Sequence, residues 1–400
     1  MLLRAPSPRT SPRAGAEAGV QAGAGAGRRA RLRRPDRLAQ LLRRPDRHAV
    51  GLVLALAVAG FLLVSPPGQS PPPATPVPAA LAWPQARTGT VPTTLPDGSA
   101  FEPAAYLDAG TAVGTAAATG GDGDLRLVLR RADGSLRVLR SLPQRDAPFF
   151  GDVAVDGDVL AWSEGTGGGA LELWTASVRD GRPARRVTAD AGDLQSRGSQ
   201  HDLTVEGGRL HWVAADPGGG DGVRLRSVAL AGGPVTSRSV AGTWRLSTWP
   251  WLVNGATTTL GTTALRDAVT GREVRVARPP GLATTSCSPA WCEDVTQERD
   301  GGTRVELRRP DGRERVRVPA DAVAPSVGDV APLDRFEVVS QAVANTDVTG
   351  TGPLLVFELD TRRTVQLSPD AAVVAYRHGV LWWQNGNGST VWRSVDLRTV

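Results

Sequence analysis

The sequence has no lysine, few aromatic residues and only two cysteines among its 400 residues. All 46 basic residues are therefore arginine, a composition typical of a GC-rich genome. Aromatic residues make up 5% of the chain, and 11 of them are tryptophan. Glycine and proline together contribute 78 residues (47 and 31), which favours many tight turns and disfavours long helices.

The sequence also lacks the motifs of several common enzyme classes. It contains no Gly-x-Ser-x-Gly, no Walker motif and no dinucleotide-binding fingerprint. Its four histidines form no His-x-x-x-His or Glu-x-x-His cluster, so no zinc site is expected. We therefore assign no catalytic residue, no metal ligand and no cofactor from the sequence.

Positive charge is concentrated at the N-terminus. Residues 1–47 contain 12 Arg and 3 acidic residues, a net charge of +9, whereas the other 353 residues carry 34 Arg and 37 acidic residues, or −3. The pI of about 10.5 therefore reflects the tail, and nucleic acid is not an expected partner of the remaining chain. The composition predicts that 1–47 form a disordered, Arg-rich tail.

An uncharged apolar segment, Ala49–Val64, follows this tail. As a helix it would span about 24 Å, slightly less than the roughly 30 Å of a bilayer core. Residues 48–65 are predicted to form a transmembrane signal-anchor helix with the lipid bilayer as partner, and a cleaved signal peptide is the alternative. A buried core helix is disfavoured because the segment has no polar stripe.

The arginines before this helix predict a single-pass cell-membrane protein with a cytoplasmic N-terminus and an extracytoplasmic C-terminal domain. Residues 66–87 are rich in proline and are predicted to be an extended linker between the membrane and a domain at 88–400.

Five tryptophans recur in the second part of the chain at nearly even steps. Trp162, Trp212, Trp251, Trp291 and Trp383 lie 50, 39, 40 and 92 residues apart, and the last gap is two steps of 46. Three of them end a shared pattern of an alternating strand, a glycine-containing turn and a second strand, at 153–162, 203–212 and 374–383. A period of 40 to 50 residues with strands between the marks is typical of a β-propeller.

A second set of turns shares this period. These turns are Asp133-Gly134, Asp180-Gly181, Gly232-Gly233, Thr270-Gly271, Asp311-Gly312 and Asp360-Thr361. The spacing predicts an all-β fold with seven four-stranded blades, although six or eight remain open. The units begin near residues 102, 149, 201, 244, 283, 333 and 371. The last unit has three strands, so residues 88–96 are expected to supply its outer strand and close the ring. A pair of sandwiches is the rival architecture.

The segment from Gln366 to Tyr376, QLSPDAAVVAY, resembles a repeat of the TolB-type and WD40-like propellers of exported bacterial proteins, with Ala371 where glycine is usual. The resemblance covers one unit well and the others only through spacing. It implies the fold and a scaffolding or ligand-binding role, and it implies no catalytic residue.

The two cysteines, Cys287 and Cys292, lie at the first hairpin turn of the fifth unit. Cross-strand cysteines at a tight turn can form a disulfide, and an extracytoplasmic domain would keep it oxidised. A redox-active pair is the functional alternative.

Candidate binding residues are expected at the channel and in one aromatic cluster. His201 and Asp202 open an inner strand, although such a pair is commonly a simple strand-end feature, and Arg245, Asp334 and Arg335 are further channel candidates. Trp244 and Trp249 lie near Arg245 and could stack on a sugar, anchor a partner protein or pack inside the domain, whereas Trp251 is expected to be buried.

These features predict a membrane-anchored extracytoplasmic propeller that is a non-catalytic scaffold for a protein or cell-envelope ligand. The alternative is a hydrolase or lyase with its site at the channel mouth. A sensor that signals to the tail is a third hypothesis, disfavoured because no folded cytoplasmic domain is evident.

Overall fold

The structure is a computed structural model that describes residues 75–117, 123–255, 261–279, 281, 283–298, 302–320, 323–343, 346–386 and 388–400. The predicted tail (1–47) and signal-anchor helix (48–65) lie outside these residues. None of the helices in the described ranges has the length and apolar character needed to cross a bilayer.

Five consecutive stretches of the described chain each form an antiparallel four-stranded sheet, with strands paired in sequence order. The first sheet contains β3 (Ala100–Tyr106), β4 (Ala112–Ala117), β5 (Asp124–Arg130) and β6 (Leu136–Pro143). The second contains β7 (Phe149–Asp156), β8 (Val159–Gly165), β9 (Glu172–Ser177) and β10 (Arg185–Thr188). The third contains β11 (Leu203–Glu206), β12 (Arg209–Ala215), β13 (Gly222–Ala229) and β14 (Thr236–Ala241). The fourth contains β15 (Trp244–Leu246), β16 (Trp251–Asn254), β17 (Ala264–Asp267) and β18 (Glu273–Arg275). The fifth contains β19 (Ala283–Cys287), β20 (Cys292–Gln297), β21 (Thr303–Arg308) and β22 (Val316–Arg317).

The remaining strands form one eight-stranded sheet. Its members are β23 (Val323–Pro325), β24 (Phe336–Gln341), β25 (Gly352–Glu358), β26 (Arg363–Arg377), β27 (Val380–Asn385), β28 (Val391–Asp396), β2 (Arg87–Pro92) and β1 (Val77–Pro78). They pair in the order β23-β24-β25-β26-β27-β28-β2, and β1 pairs in parallel with β26. The 15-residue β26 pairs with β25 mainly through its first part and with β27 through its second.

The helical elements are short. They are α1 (Ala79–Ala82), α2 (Thr346–Thr349) and the 3-10 turns Gln144–Asp146, Pro332–Asp334 and Leu397–Thr399.

The predicted tryptophan hairpins are confirmed. The aligned segments pair in the same register, with Val153 opposite Trp162, Leu203 opposite Trp212 and Val374 opposite Trp383. Residues two apart on a strand share a face, so the preceding leucine and the tryptophan of each second strand both enter the core. Burial of such a side chain contributes about 1.5–3 kcal/mol.

The six predicted turns are confirmed, because each joins the third and fourth strands of its repeat unit. We call these six connections the outer turns.

Clusters of buried apolar side chains lie between consecutive sheets. They join the first and second sheets (Leu129, Trp162), the second and third (Leu173, Trp212), the third and fourth (Val213, Leu252), the fourth and fifth (Leu265, Cys292), the fifth and the eight-stranded sheet (Leu307, Phe357), and the eight-stranded and first sheets (Trp382, Tyr106). Each sheet therefore covers the faces of its neighbours, and the last sheet packs against the first.

The expected strand exchange between the ends of the domain is confirmed. β2 pairs antiparallel with β28, with Thr88 opposite Val395 and Val91 opposite Trp392. Packing extends upstream of residue 88, since β1 joins the sheet and Trp83 is buried against Phe336, with its Nε1 donating to Glu358 at 2.7 Å. The C-terminal part of the proline-rich segment assigned to the linker is thus packed on the domain.

Two expectations need correction. The sixth unit begins with β23 at Val323 rather than near Leu333, because a three-residue strand leaves no alternation to read. Trp251 is only half-buried, and the Arg272 guanidinium lies 6.0 Å from the centre of its ring.

The predicted disulfide between Cys287 and Cys292 is present, across paired positions whose Cα atoms are 4.0 Å apart.

Candidate functional site

A polar cavity of about 350 Å³ lies where the inner strands and adjoining loops of the third, fourth, fifth and eight-stranded sheets meet. Such concave sites with convergent polar groups are the usual places for ligands in proteins. Its titratable lining residues are His201, Arg245, Asp329, Asp334, Tyr376 and His378.

Strand alternation places Arg245 in the cavity. Its neighbours in β15, Trp244 and Leu246, are buried in the core, so Arg245 is on the opposite face of the strand. Its Nε is buried and has no hydrogen-bond partner among the described residues. No ion pair joins its guanidinium to a carboxylate within those residues either, although Asp329 and Asp334 line the same cavity.

His201 lies just before β11, beside the carboxylate of Asp329. The distance from His201 Nε2 to Asp329 Oδ1 is 3.9 Å, which is longer than a hydrogen bond. Asp329 instead accepts a hydrogen bond from Ser199 Oγ at 2.9 Å. Burial lowers the pKa of His201, Asp329 opposes this effect, and Arg245 and Arg377 reinforce it. His201 is therefore neutral near pH 7.

His378 occupies the turn between β26 and β27. It has a φ of 51° and is followed by Gly379 at 85°, as in a two-residue hairpin turn. Its backbone N–H donates to Gln200 Oε1 at 2.8 Å. Burial, together with Arg377, His201 and Arg398, lowers the pKa of the His378 ring to about 4. Burial likewise raises the pKa of Tyr376.

Asp202 and Arg335 do not line the cavity. Asp202 is buried, and its Oδ2 accepts the backbone N–H groups of Arg197 at 2.6 Å and Ser199 at 3.0 Å, so it holds the loop that precedes His201. Burial raises the pKa of Asp202 to about 6. The Arg335 guanidinium instead donates to the Val400 carbonyl at 2.7 Å.

Trp244 and Trp249 do not form an exposed aromatic platform. Trp244 is 8% exposed and donates through Nε1 to the Ala241 carbonyl at 2.7 Å. Trp249 is half-buried, and its ring lies 3.7 Å from that of His211, centre to centre. Both side chains therefore pack within the domain.

Sequence reasoning selected Asp334 and Arg335 in the loop between β23 and β24 but missed the rest of this loop, which forms one edge of the cavity. Residues Ala331, Leu333 and Asp334 have φ values of 49°, 56° and 55°, a region that favours glycine. We call 328–334 the cavity edge. Alanine and leucine rarely adopt this region, so the sequence does not predict it at Ala331 and Leu333, whereas aspartate tolerates it.

Buried carboxyls stand behind the cavity edge. Glu337 is buried and accepts the Ala331 N–H at 3.1 Å. Burial raises its pKa well above the usual range, and Glu293 acts in the same direction. Asp334 lies in the cavity edge itself and is exposed, and partial desolvation raises its pKa against the effect of Arg309.

A metal centre has no structural support in the described part of the chain. No group of three or more His, Cys, Asp or Glu residues there could hold an ion.

Comparison with solved structures establishes the fold. The chain is similar to the β-propeller domain of the Trilobed protease from Pyrococcus furiosus, with a TM-score of 0.50 and 9% identity over 74% of this chain and 93% of that one. An uncharacterized protein from Listeria monocytogenes EGD-e gives a TM-score of 0.46 and 7% identity over 71% and 88% of the two chains. A protein from Agrobacterium tumefaciens assigned as a TolB gives 0.36 and 15% over 66% and 93%.

The first of these similarities confirms the predicted β-propeller, and at such identities it shows the fold alone. No protein-family model matches the sequence, and no curated protein matches it.

Proposed function

We propose that the protein is a membrane-anchored extracytoplasmic β-propeller that acts as a non-catalytic binding scaffold, with a cell-envelope ligand in the cavity. The observation that carries this proposal is the polar cavity lined by Arg245, His201 and His378, two of which have a buried ring or guanidinium nitrogen without a partner among the described residues. A ligand that donates and accepts hydrogen bonds would satisfy these groups.

The hydrogen bonds around the cavity favour binding over covalent catalysis. A nucleophile needs a base within hydrogen-bond reach, and that base is usually oriented by a third group. Ser199 Oγ donates to Asp329, and His201 Nε2 is 3.9 Å from the same carboxylate. Ser199 and His201 therefore make separate polar contacts and do not form a hydrogen-bonded pair of nucleophile and base.

A hydrolase or lyase is the second candidate. It is favoured by the polar character of the cavity and by neutral His201 close to the Asp329 carboxylate, which could exchange a proton after a small movement. Turnover of glycan, ester or peptide substrates by the purified chain, abolished by His201→Gln, would establish this candidate and contradict the scaffold.

The proposed location depends on residues 48–65 as an uncleaved anchor with a cytoplasmic N-terminus. The disulfide between Cys287 and Cys292 supports an oxidising compartment for the propeller. In a protease-protection assay, we expect the C-terminal domain to be degraded in spheroplasts without lysis. A domain that is protected until lysis would contradict this location.

We also propose that the ring has seven blades. The division of β26 between β25 and β27 supports two four-stranded blades that share this strand, with β2 as the outer strand of the last blade. Deletion of 87–92 should then open the ring and sharply lower the unfolding temperature.

The binding proposal is tested by blocking the cavity. Thr248 is exposed and lines the cavity, so Thr248→Trp should fill its mouth at little structural cost. Thr243, also exposed but outside the cavity lining, provides the matched control Thr243→Trp. The full chain in detergent is titrated calorimetrically with N-acetylglucosamine, alanylalanine and glucuronate.

We expect at least one probe to bind the wild type and Thr243→Trp equally, and to bind Thr248→Trp at least about tenfold more weakly. Equal binding to all three proteins would place the ligand elsewhere and contradict the proposal.

A further inference from the structure

Arg245 is a cationic side chain of the cavity that forms no ion pair with the residues that the structure describes. His201 and His378 both have lowered pKa values and are neutral near pH 7. Nearby Arg377 donates to the backbone carbonyls of Val153 at 3.3 Å and Ser199 at 3.4 Å. Among the described residues, Arg245 makes no such contact, and its Nε is buried.

An arginine with a buried, unpartnered N–H group destabilises the fold unless a ligand binds it. A buried N–H without an acceptor loses its hydration, and a guanidinium is desolvated at a larger cost than a neutral group. Planar oxyanions satisfy its N–H groups two at a time, which is why arginine is the common partner of carboxylates and phosphates.

We propose that Arg245 binds the oxyanion, a carboxylate or a phosphate, of a small cell-envelope ligand. This inference rests on the proposed function, because it names the chemistry of the ligand in the same cavity.

The acidic residues of the cavity define the rest of the ligand. Asp329 and Asp334 also line it, and they would repel a second anionic group. Their oxygens accept hydrogen bonds from hydroxyl or ammonium donors. Leu333, which is 46% exposed, adds an apolar contact at the edge. The ligand class is therefore a skeleton that carries one oxyanion and several hydroxyl or amine donors, such as an acidic or phosphorylated sugar.

The test compares probes that differ in a single group. Glucuronate and glucose share a ring and differ by a carboxylate in place of a hydroxymethyl, and glucose 6-phosphate carries the other oxyanion. Each is titrated calorimetrically into the full chain in detergent at pH 7. The variants are Arg245→Gln, Arg245→Lys and the charge-matched control Arg145→Gln, whose side chain is 83% exposed.

We expect glucuronate or glucose 6-phosphate to bind the wild type and Arg145→Gln at least tenfold more tightly than glucose. Arg245→Gln should weaken this binding about 10- to 100-fold, since hydrogen bonds to charged groups contribute roughly 1.5–3 kcal/mol. Arg245→Lys should restore part of it, because lysine keeps the charge without the bidentate geometry. Which acidic probe binds more tightly distinguishes a carboxylate ligand from a phosphate ligand. Thermal unfolding without probe verifies that each variant folds.

Two results would overturn the inference. One is that Arg245→Gln, although folded, binds the acidic probes as tightly as the wild type. The other is that neither acidic probe binds better than glucose. If N-acetylglucosamine, which carries no oxyanion, still binds in a manner sensitive to Thr248→Trp, the proposed function stands and only the anion assignment fails.

Discussion

Three of the outer turns and the cavity edge solve the same backbone problem in opposite ways. At the outer turns, Gly134, Gly271 and Gly312 take φ values of 85°, 76° and 88°, where glycine has no steric cost. At the cavity edge, Ala331, Leu333 and Asp334 take φ values near 50°. Ala331 and Leu333 each cost roughly 1–2 kcal/mol in that region, and aspartate tolerates it better. These three glycines avoid the steric cost, although Glu314 and Arg362 in outer turns also take positive φ values of 49° and 57°. At the cavity edge the surroundings hold such residues in place.

The pKa values of the carboxyl groups also differ between the outer turns and the cavity edge. Hydrogen bonds from Ser135 and from the Thr270 N–H lower the pKa of Asp133 and Asp267 at outer turns. Burial raises the pKa of Asp334 at the cavity edge and of Asp202 beside the cavity. Ionised acids therefore support the outer turns, whereas ionisation around the cavity has an energetic cost, a pattern that is common at functional sites.

The largest expected effect lies in the core between the sheets. Trp212 is fully buried, so Trp212→Ala should lower the free energy of unfolding by about 3–5 kcal/mol. Leu333→Ala, at the half-exposed cavity edge, should change it by less than about 0.5 kcal/mol. Urea unfolding of both variants measures the difference. A loss below about 1 kcal/mol for Trp212→Ala would contradict the packing described above.

The buried carboxyls behind the cavity edge predict a pH dependence. Burial raises the pKa of Glu293 to about 8 from 4.5, and Asp294 acts in the same direction. The folded state therefore binds more protons between these values, and the free energy of unfolding falls as the pH rises from about 4.5 to about 8. The slope contributed by one such group is at most about 1.4 kcal/mol per pH unit.

Glu293→Gln removes this titration, so its stability relative to the wild type should increase from pH 5 to pH 8 in urea titrations. Asp133→Asn is the contrast from an outer turn. The lowered pKa of Asp133 supplies stability above its unfolded value of 3.8 that is lost on acidification, so its removal should matter only where the carboxylate is ionised. If Glu293→Gln shows no pH-dependent gain, the carboxyl is not held protonated.

The sequence predicted the outer turns better than it predicted the cavity. The hairpins, the outer turns and the closing strand were predictable because they depend on local alternation and glycine position. The cavity was only partly predictable. His201 and Asp334 line it, whereas their sequence neighbours Asp202 and Arg335 do not. Asp202 accepts backbone N–H groups of its own loop, and Arg335 donates to the Val400 carbonyl, neither of which the sequence indicates.

Other cavity residues carried no local signal. Asp329 and His378 meet the loop at Ser199 and Gln200 through contacts between residues far apart in the chain. Such contacts arise from the closure of the ring, which a reading of one repeat at a time does not include.

A smaller effect tests the outer turns directly. An added Cβ at Gly134 would meet no heavy atom within 4 Å, so Gly134→Ala isolates the cost of its φ of 85°. We expect a loss of about 1 kcal/mol in unfolding free energy. Gly168 has equally open surroundings without a positive φ, so Gly168→Ala should be neutral or slightly stabilising. Equal effects of the two substitutions would show that backbone conformation does not distinguish these turns.

The most direct test of the central claim, that the cavity edge carries backbone strain because it forms a binding site, compares Leu333→Gly with Leu333→Ala. Both variants remove the side chain, but only glycine relieves the cost of the φ of 56°. Unfolding free energy and glucuronate affinity are measured on the same preparations. We predict that Leu333→Gly is about 1 kcal/mol more stable than Leu333→Ala and binds glucuronate more weakly, because the relaxed edge is less well ordered for the ligand. Equal stability and equal affinity of the two variants would contradict the claim.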